Sequence, residues 1–300
     1  GELYLWSAKV YTNTADLAVA KAALTSITGP SLLSNFADVF KNKNNNEVIL
    51  AMRYRDGEAE MGTAYSYFLY STFNFDNLHV KDSTTLGPTL VDPLNIASAP
   101  SQIIQRYAYT FELYQSYDLA DTRRNATFYD YYKTTSSGGN VVVNVRNTAL
   151  VKFIGEMNSA NRRVFTNDWP VYREADRLLM LAEIVNAEGG DPTPYIQPVR
   201  NRAFANADPT PFVNGSKDEN ELAIFEERIK EFVYEGKRWY DIRRMKYGNE
   251  PLVFISPNHP YGVLDKATQG YKILWPVEAA IWTNDPLIDQ TPGYATSKPK

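Results

Sequence analysis

The stretch Glu227–Arg244 holds the densest set of residues in the chain that could carry out acid–base chemistry. Glu227, Glu231 and Glu235 lie four residues apart, which places them on one face of a predicted α-helix. Two such carboxylates could act as the acid and base of a glycosidase, whose carboxyl groups lie about 5–9 Å apart. The alternative is a solvated stripe opposite an apolar face. The stripe is favoured, because three equivalent exposed glutamates give none of them a reason to keep its proton.

Other catalytic and ligand-binding motifs are missing from the sequence. The two histidines, His79 and His259, fall in predicted loops, and no serine lies in a G-x-S-x-G motif. Zincin, EF-hand, dinucleotide-binding and Walker motifs are also absent. The chain has no cysteine, which excludes disulfides and thiolate metal sites. The sequence therefore predicts no catalytic residue, no metal site and no cofactor.

Composition and charge exclude two further classes of protein. The 300 residues are 44% hydrophobic and 22% charged, which is typical of a soluble globular chain. The net charge is −4 and the arginine pairs are scattered, so we expect no nucleic-acid partner. No apolar run approaches the roughly 18 residues of a membrane helix.

The N-terminal 28 residues read as a helical hairpin. Asp16 is predicted to cap the second helix, and Gly29-Pro30 to end it. Large and small residues follow the spacing of a tetratricopeptide repeat, in which small side chains let two helices approach closely. They are Tyr4, Ala8, Tyr11, Ala20 and Leu24.

The middle of the chain has less periodicity. Glu47–Arg53 is weakly alternating and β-branched, which predicts a short strand. Residues 54–100 are rich in aromatic residues and proline and read as a long loop, and loops of that length are usually functional. Ser101 is predicted to cap a helix through Ile104 and Tyr107, with Tyr114 as its furthest extent. YDYYKTTSSGGNVVVNV, residues 129–145, is predicted to form a hairpin.

Helical periodicity returns from Val171. One helix is predicted from there to Gly189-Gly190, and a second over YIQPVRNRAF. A third begins at a capping box, either Ser216 with Glu219 or Asp218 with Glu221. Its predicted buried residues are Leu222, Phe225, Ile229, Phe232 and Val233.

These elements predict a mainly α fold: tetratricopeptide-like helical hairpins with a loop-rich middle region and a few short β-strands. We expect one domain over residues 1–300. Within it we distinguish a helical hairpin (1–50), a variable loop-rich region (51–150), a helical region (151–250) and an irregular closing segment (251–300).

Four blocks resemble the SusD/RagB family of outer-membrane nutrient-binding lipoproteins. They are VYREADRLLMLAEIVNAEGG, VRNRA, ERIKEFVYEGKRWYDIRR and LWPVEAAIWTNDPLIDQTPGY, and their order and spacing agree with the family pattern. The resemblance matches the C-terminal part of a family member. It implies that a lipidated cysteine and further helices would precede this chain in the full-length protein.

The resemblance implies a receptor on the cell-surface face of the outer membrane, not an enzyme. Such a receptor binds oligosaccharide, sometimes peptide, and delivers it to a SusC-like TonB-dependent transporter. Its only attachment to the membrane would be an N-terminal lipid anchor that this chain does not contain. The alternatives are a helical-repeat protein-interaction module, a peptide receptor, and a glycoside hydrolase that uses glutamate and aspartate.

The resemblance also implies that the charged motif is architectural. Glu231 and Glu235 are expected to pair with Arg238 and Arg243 at a helix bend at Gly236. Arg238 is expected to be largely buried and bonded to a carboxylate or to backbone. Trp239 is expected to fill the core, and the full predicted structural set is Arg173, Glu183, Glu231, Glu235, Arg238, Trp239, Asp241 and Arg243.

Ligand sites in the family lie in variable loops, so no binding residue transfers by resemblance. We assign ligand binding to the aromatic segment, whose flat rings can cover sugar faces while polar side chains bind hydroxyls. The alternative is that half of these rings pack against the helices beneath. The candidate residues are Tyr65, Tyr67, Tyr70, Phe73, Asn74, Phe75 and Asp76.

Overall fold

The computed structural model describes residues 1–61, 79–80, 109–137, 140–161, 163–255, 264–285 and 287–294. The described chain is mainly helical, which confirms the predicted fold class. Its α-helices are α1 (Glu2–Val10), α2 (Asp16–Thr25), α3 (Asp38–Lys41), α4 (Phe111–Gln115), α5 (Thr122–Thr127), α6 (Glu174–Ala187), α7 (Thr193–Ala203), α8 (Lys217–Glu231), α9 (Arg238–Arg244), α10 (Lys266–Gln269) and α11 (Ala279–Asn284). Its strands are β1 (Val48–Met52), β2 (His79–Val80), β3 (Phe128–Ser137), β4 (Asn140–Leu150), β5 (Glu156–Met157), β6 (Arg163–Val164), β7 (Trp169–Arg173), β8 (Lys246–Tyr247) and β9 (Glu250–Pro251). Two 3₁₀ turns, Leu252–Phe254 and Gly270–Ile273, complete the regular structure of these ranges.

Helices α1 and α2 form the predicted hairpin. Ala8 and Ala20 are buried where the helices meet, as the tetratricopeptide-like spacing requires. Tyr4 and Tyr11, the aromatic members of that pattern, are exposed instead. The predicted cap was wrong: Asp16 is the first helical residue and its side chain accepts a hydrogen bond from Asn13. The helix also ends at Thr25, before Gly29-Pro30.

Helix α6 is buried on two sides because it lies between the hairpin and the remaining helices. Met180 and Ile184 contact the α1–α2 hairpin in one core cluster. Ala175, Leu179 and Ala182 contact α7 and α8 in a second cluster. A helix between two layers has little solvated surface, so its polar residues must find partners within the protein.

Helix α8 begins at a capping box. The Ser216 hydroxyl accepts from the Glu219 backbone N–H at 3.3 Å, and the Glu219 carboxylate accepts from the Ser216 N–H at 2.8 Å. These bonds confirm the first of the two predicted boxes. Glu221, which belonged to the other box, is buried and contacts Lys9.

The helix predicted from Val171 begins later, at Glu174. Residues Trp169–Arg173 instead form β7, which pairs antiparallel with β1 in a two-stranded sheet. Val48 lies opposite Arg173 and Met52 opposite Trp169. Strand β1 was predicted, and its pairing draws the three residues before α6 into extended backbone. The local pattern could not show this, because the partner is about 120 positions away.

The predicted hairpin at residues 129–145 is present as β3 and β4, which are longer than expected at 10 and 11 residues. Strand β2 pairs with β3 to make a three-stranded sheet. Below it lies an aromatic core cluster formed by Phe36, Phe40, Tyr114, Tyr117, Phe128, Phe153 and Phe165. Met61 belongs to this cluster, and Tyr109 packs against it.

Candidate functional site

The predicted ligand residues fall outside the described part of the chain. Tyr65, Tyr67, Tyr70, Phe73, Asn74, Phe75 and Asp76 all lie between residues 62 and 78. The predicted helix from Ser101 also lies outside it, at residues 101–108. The assignment of ligand binding to the aromatic segment therefore stays a prediction.

The three glutamates on α8 and the turn after it are buried, so the predicted solvated stripe was wrong. Their exposed fractions are 2% for Glu227, 0% for Glu231 and 4% for Glu235. They belong to a buried cluster of ion pairs, which we call the Arg173 network. Its members are Glu47, Asp121, Arg123, Lys152, Arg173, Arg202, Glu227, Glu231 and Glu235.

Arg173, at the end of β7, lies at the centre of this network. Its Nε and NH2 atoms donate to the two carboxylate oxygens of Glu235, both at 2.8 Å. Its NH1 atom donates to Glu47 at 2.8 Å and to Glu231 at 2.5 Å. The planar guanidinium thus uses its fork of donors on three carboxylates at once, an arrangement that lysine could not reproduce.

Glu231 receives two further arginines. Arg123 donates to its Oε2 atom at 2.9 Å, and Arg202 donates to its Oε1 atom. Burial alone would raise the pKa of Glu231, but Arg202, Arg173 and Arg123 together hold that pKa well below its ordinary value. Glu231 is therefore an ionised anchor for three chain segments.

Lys152 closes the network over the end of α8. Its ammonium donates to the backbone carbonyls of Glu231 and Val233, both at 3.0 Å, and to Glu235 at 2.5 Å. Carbonyls at the end of a helix have no intrahelical hydrogen-bond partner, so Lys152 supplies one. A cation at this end also interacts favourably with the helix dipole. Burial lowers the pKa of Lys152 to about 8, although Glu235 opposes that shift.

The predicted pairing of Glu231 and Glu235 with Arg238 and Arg243 was wrong. Arg238 is partly buried and its guanidinium lies over the Phe225 ring, 4.5 Å from the centroid. The Arg243 guanidinium lies over the Trp6 ring at 5.0 Å. Gly236, with φ +76°, lies in the turn between two separate helices and not in a bend of one.

The other predicted structural residues lie around a second buried cluster. Arg244 donates to both carboxylate oxygens of Glu183, at 2.9 and 3.0 Å, and to Asp241 at 2.9 Å. Lys9 reaches the same Glu183 at 3.2 Å, so this cluster joins α1, α6 and α9. Trp239 is partly buried and packs at the margin of the α6–α9 core. Burial would raise the pKa of Glu183, but Arg244 and Lys9 hold it below its ordinary value.

Glu183 and Glu231, the central carboxylates of the two clusters, lack the raised pKa of a catalytic acid. A general acid at neutral pH needs a raised pKa, whereas the pKa values of Glu183 and Glu231 are lowered. Within the described ranges, no group of three or more His, Asp or Glu side chains is arranged to hold a metal ion. No helix in those ranges is both long and apolar enough to cross a membrane.

Sequence reasoning missed Glu47, Arg123, Lys152 and Arg202 as network members. Apart from Asp121, which is two residues from Arg123, their partners in the network are 29–155 positions away along the chain, so no local spacing could mark them. It also missed an open groove of about 370 Å³ beside β1. We call it the Asp168 groove, and its polar lining is Asn42, Lys43, Asn44, Asn45, Arg53 and Asp168. The run of lysine and asparagine at 41–46 read only as a polar loop.

Comparison with known proteins supplies the context for this geometry. The family model for the SusD family matches residues 46–294. A SusD-like protein, P2, from Formosa agariphila is 32% identical over 206 residues, which is 62% of this chain and 39% of that protein. The chain thus spans less than half of that relative.

Solved structures that resemble this chain also include a SusD superfamily protein. A SusD superfamily protein from Bacteroides fragilis matches with a TM-score of 0.81 at 35% identity, over 98% of this chain and 63% of that one. Surface glycan-binding protein A from Bacteroides thetaiotaomicron, in complex with laminarihexaose, shares the fold with a TM-score of 0.61 at 19% identity, over 98% of this chain and 62% of that one. The family match covers most of the sequence, including every member of the Arg173 network. It also includes Glu183, Asp241 and Arg244 of the second cluster and strand β1 beside the Asp168 groove. The chain belongs to the SusD family.

Proposed function

We propose that this chain is part of a cell-surface receptor that binds oligosaccharides without altering them. The receptor delivers them to a SusC-like TonB-dependent transporter, and an N-terminal lipid anchor holds the full-length protein on the outer membrane. The observation that carries the proposal is the SusD-family match over residues 46–294. A protein of the same fold holds laminarihexaose, so the fold is compatible with an oligosaccharide ligand.

The state of the buried carboxylates supports binding without hydrolysis. A retaining or inverting glycosidase needs one carboxyl group that keeps its proton near neutral pH. Glu231 is ionised and its two oxygens are taken by arginines. We therefore expect Glu231→Gln to change stability and to produce no change in sugar release.

The aromatic segment is our proposed site of ligand contact. Its candidate residues are Tyr65, Tyr67, Tyr70, Phe73, Asn74, Phe75 and Asp76. The neighbouring residues Met61 and Tyr109 are packed in the aromatic core, and the Met61 N–H donates to the Phe165 carbonyl at 2.9 Å.

Isothermal titration against neutral hexasaccharides, among them laminarihexaose, maltohexaose and xylohexaose, tests the ligand class and the segment together. Wild-type protein is expected to bind at least one of them without releasing sugar, and Tyr67→Ala and Phe73→Ala are expected to weaken that binding. Stacking on an aromatic side chain contributes about 1–3 kcal/mol for a nucleic-acid base, and we expect a loss of that order for a sugar ring here. Tyr11→Ala, which removes an exposed tyrosine outside the segment, is the matched control. Unchanged affinity in both segment variants would remove the segment from the site.

The transporter half of the proposal rests on the SusD-family match. Purification of the full-length protein from detergent-solubilised outer membranes should yield a TonB-dependent barrel in stoichiometric amount. Stable barrel association without any glycan binding would favour the interaction-module alternative, and binding of peptides alone would favour a peptide receptor.

A further inference from the structure

The Asp168 groove lies between the asparagine-rich turn at residues 42–45 and strand β1. Its volume of about 370 Å³ is at the lower end of the roughly 300–1,000 Å³ of small-ligand pockets. Ile49 and Leu50 give it an aliphatic wall, and Leu50 is 53% exposed. The groove is therefore lined by both polar and apolar residues, and its volume suits one small ring.

The charged side chains of the groove are close to each other but do not form full hydrogen bonds. The Lys43 ammonium lies 3.9 Å from Asp168 Oδ1, and the Arg53 guanidinium lies 3.8 Å from Asp168 Oδ2. Both cations are held elsewhere, Lys43 by the Tyr54 carbonyl and Arg53 by the Asn44 amide oxygen. The Asp168 side chain is 13% exposed, and its buried Oδ1 atom is one of several buried polar atoms to which no described residue donates a hydrogen bond. Such an acceptor costs about 1–3 kcal/mol unless a donor reaches it.

A second cleft of about 310 Å³ near Tyr117 shows the contrary arrangement. Arg200, which lines it, donates to Asp208 at 2.8 and 3.0 Å and to Glu227 at 3.2 Å. The Tyr117 hydroxyl donates to the Lys230 carbonyl at 2.7 Å. Arg200 and Tyr117 of that cleft bind protein acceptors at 2.7–3.2 Å, whereas the ion pairs of the Asp168 groove are 3.8 and 3.9 Å long.

The chemistry of the groove selects between ligand classes. Asp168 can accept a hydrogen bond, while Lys43 and Arg53 each carry further N–H donors beyond those that bind Tyr54 and Asn44. A hydroxyl group both donates and accepts, so two neighbouring hydroxyls of a sugar ring can donate to Asp168 and accept from the two cations. A carboxylate only accepts: it could pair with the two cations, but it would leave Asp168 without a donor and face it with like charge.

We infer that the Asp168 groove is a saccharide subsite that takes one neutral sugar unit through a pair of neighbouring hydroxyls. The C–H face of the ring packs on Ile49 and Leu50. This inference rests on the proposed oligosaccharide receptor function and adds to it a second contact region, separate from residues 65–76.

Amide chemical-shift mapping tests the subsite directly, because it reports where a sugar binds even when affinity is low. The ¹⁵N-labelled protein is titrated with methyl β-glucoside to tens of millimolar, and then with laminarihexaose, maltohexaose and xylohexaose. We expect shifts at the amides of residues 42–45, Arg53 and Asp168. Asp168→Asn should weaken this binding at least about tenfold, the loss of one hydrogen bond to a charged group. Glu58→Gln, an exposed carboxylate outside the groove lining, should leave it unchanged.

The outcomes separate this inference from the proposed function. If hexasaccharides bind with shifts outside the groove, and Asp168→Asn has no effect, the subsite is refuted while the receptor function stands. If no neutral sugar shifts any amide, both are refuted. Hexagalacturonate is the acidic comparison: stronger groove shifts with it than with neutral sugars, increased further in Asp168→Asn, would overturn the assignment to neutral sugars.

Discussion

The Arg173 network and the Asp168 groove are built from the same residue types, yet they differ in how completely their charges are paired. Arg173 is 1% exposed and meets Glu235 through two bonds of 2.8 Å. Asp168 meets its cations only at 3.8 and 3.9 Å. Short ion pairs in a dry interior lock chain segments together, whereas longer ion pairs in an open groove leave polar groups available to a ligand. The residue type alone therefore does not indicate the role.

The same comparison explains why the family motif is rich in glutamate and arginine. The network joins elements from residue 47 to residue 235, including β7, α7 and the end of α8. Without these ion pairs, each of the joined elements would bury an unpaired charge, which costs several kcal/mol per ion. One cluster thus ties together elements that are far apart along the chain.

Acidification should produce the largest change, because it affects both buried clusters together. The folded-state pKa values of Glu231 and Glu183 lie below the ordinary value of 4.5, so the ionised forms stabilise the fold. Their contribution is present above about pH 4.5 and is lost as the pH falls towards the folded pKa values. Each unit by which folding lowers a carboxyl pKa contributes about 1.4 kcal/mol. Urea unfolding at pH 7, 5, 4 and 3 should show a steep loss of stability below pH 4.5. A flat urea midpoint from pH 5 to pH 3 would contradict it.

Removal of the central carboxylate should have the next largest effect. Glu231→Ala leaves Arg123, Arg173 and Arg202 with a buried excess of positive charge, which should cost about 3–5 kcal/mol of unfolding free energy. Glu226, on the same helix but exposed, is the matched control, and Glu226→Ala should stay within about 0.5 kcal/mol. Urea unfolding measures both. Equal effects in the two variants would mean that the network does not stabilise the fold.

The Ser216 cap at the start of α8 should contribute less to the unfolding free energy than the Arg173 network at the end of that helix. Ser216→Ala removes the acceptor for the Glu219 N–H and should cost about 1 kcal/mol. Ser34→Ala, at an exposed loop serine, should cost almost nothing. Thermal unfolding of both variants gives the difference, and a Ser216→Ala loss as large as that of Glu231→Ala would reverse the ranking of cap and network.

Local features of the fold could be predicted from the sequence, and features that depend on distant contacts could not. The capping box at Ser216 involves residues three apart, and the β3–β4 hairpin follows a Ser/Gly turn. By contrast, Val171–Arg173 became a strand because β1 pairs with it. Hydrophobic patterning treats a charged residue as a sign of solvent, and it fails at Glu231 because three arginines from separate elements enclose it.

The candidate sites, too, were predicted where their residues are adjacent in the sequence and missed where the residues are far apart. The Glu227–Arg244 motif was found because its residues are adjacent, but its partners were assigned to the neighbouring Arg238 and Arg243. The groove was missed because Lys43, Arg53 and Asp168 are more than 100 positions apart at the extremes and meet only in the folded chain. A run of asparagines and lysines gives no sign of which carboxylate it will face.

The smallest expected change is the sharpest test of the contrast between the network and the groove. Asp168→Asn should alter the unfolding free energy by no more than about 1 kcal/mol, since partly exposed ion pairs contribute about 0–1 kcal/mol. Asp176→Asn is the buried counterpart, because Asp176 is 1% exposed and lies 3.1 Å from Arg228 and 2.7 Å from Lys237. It should cost clearly more, on the order of 3 kcal/mol. Urea unfolding of the two variants at pH 7 compares one charge-to-amide change in two surroundings. If Asp168→Asn is as destabilising as Asp176→Asn, the groove carboxylate holds the fold together, and its open geometry is not there for a ligand.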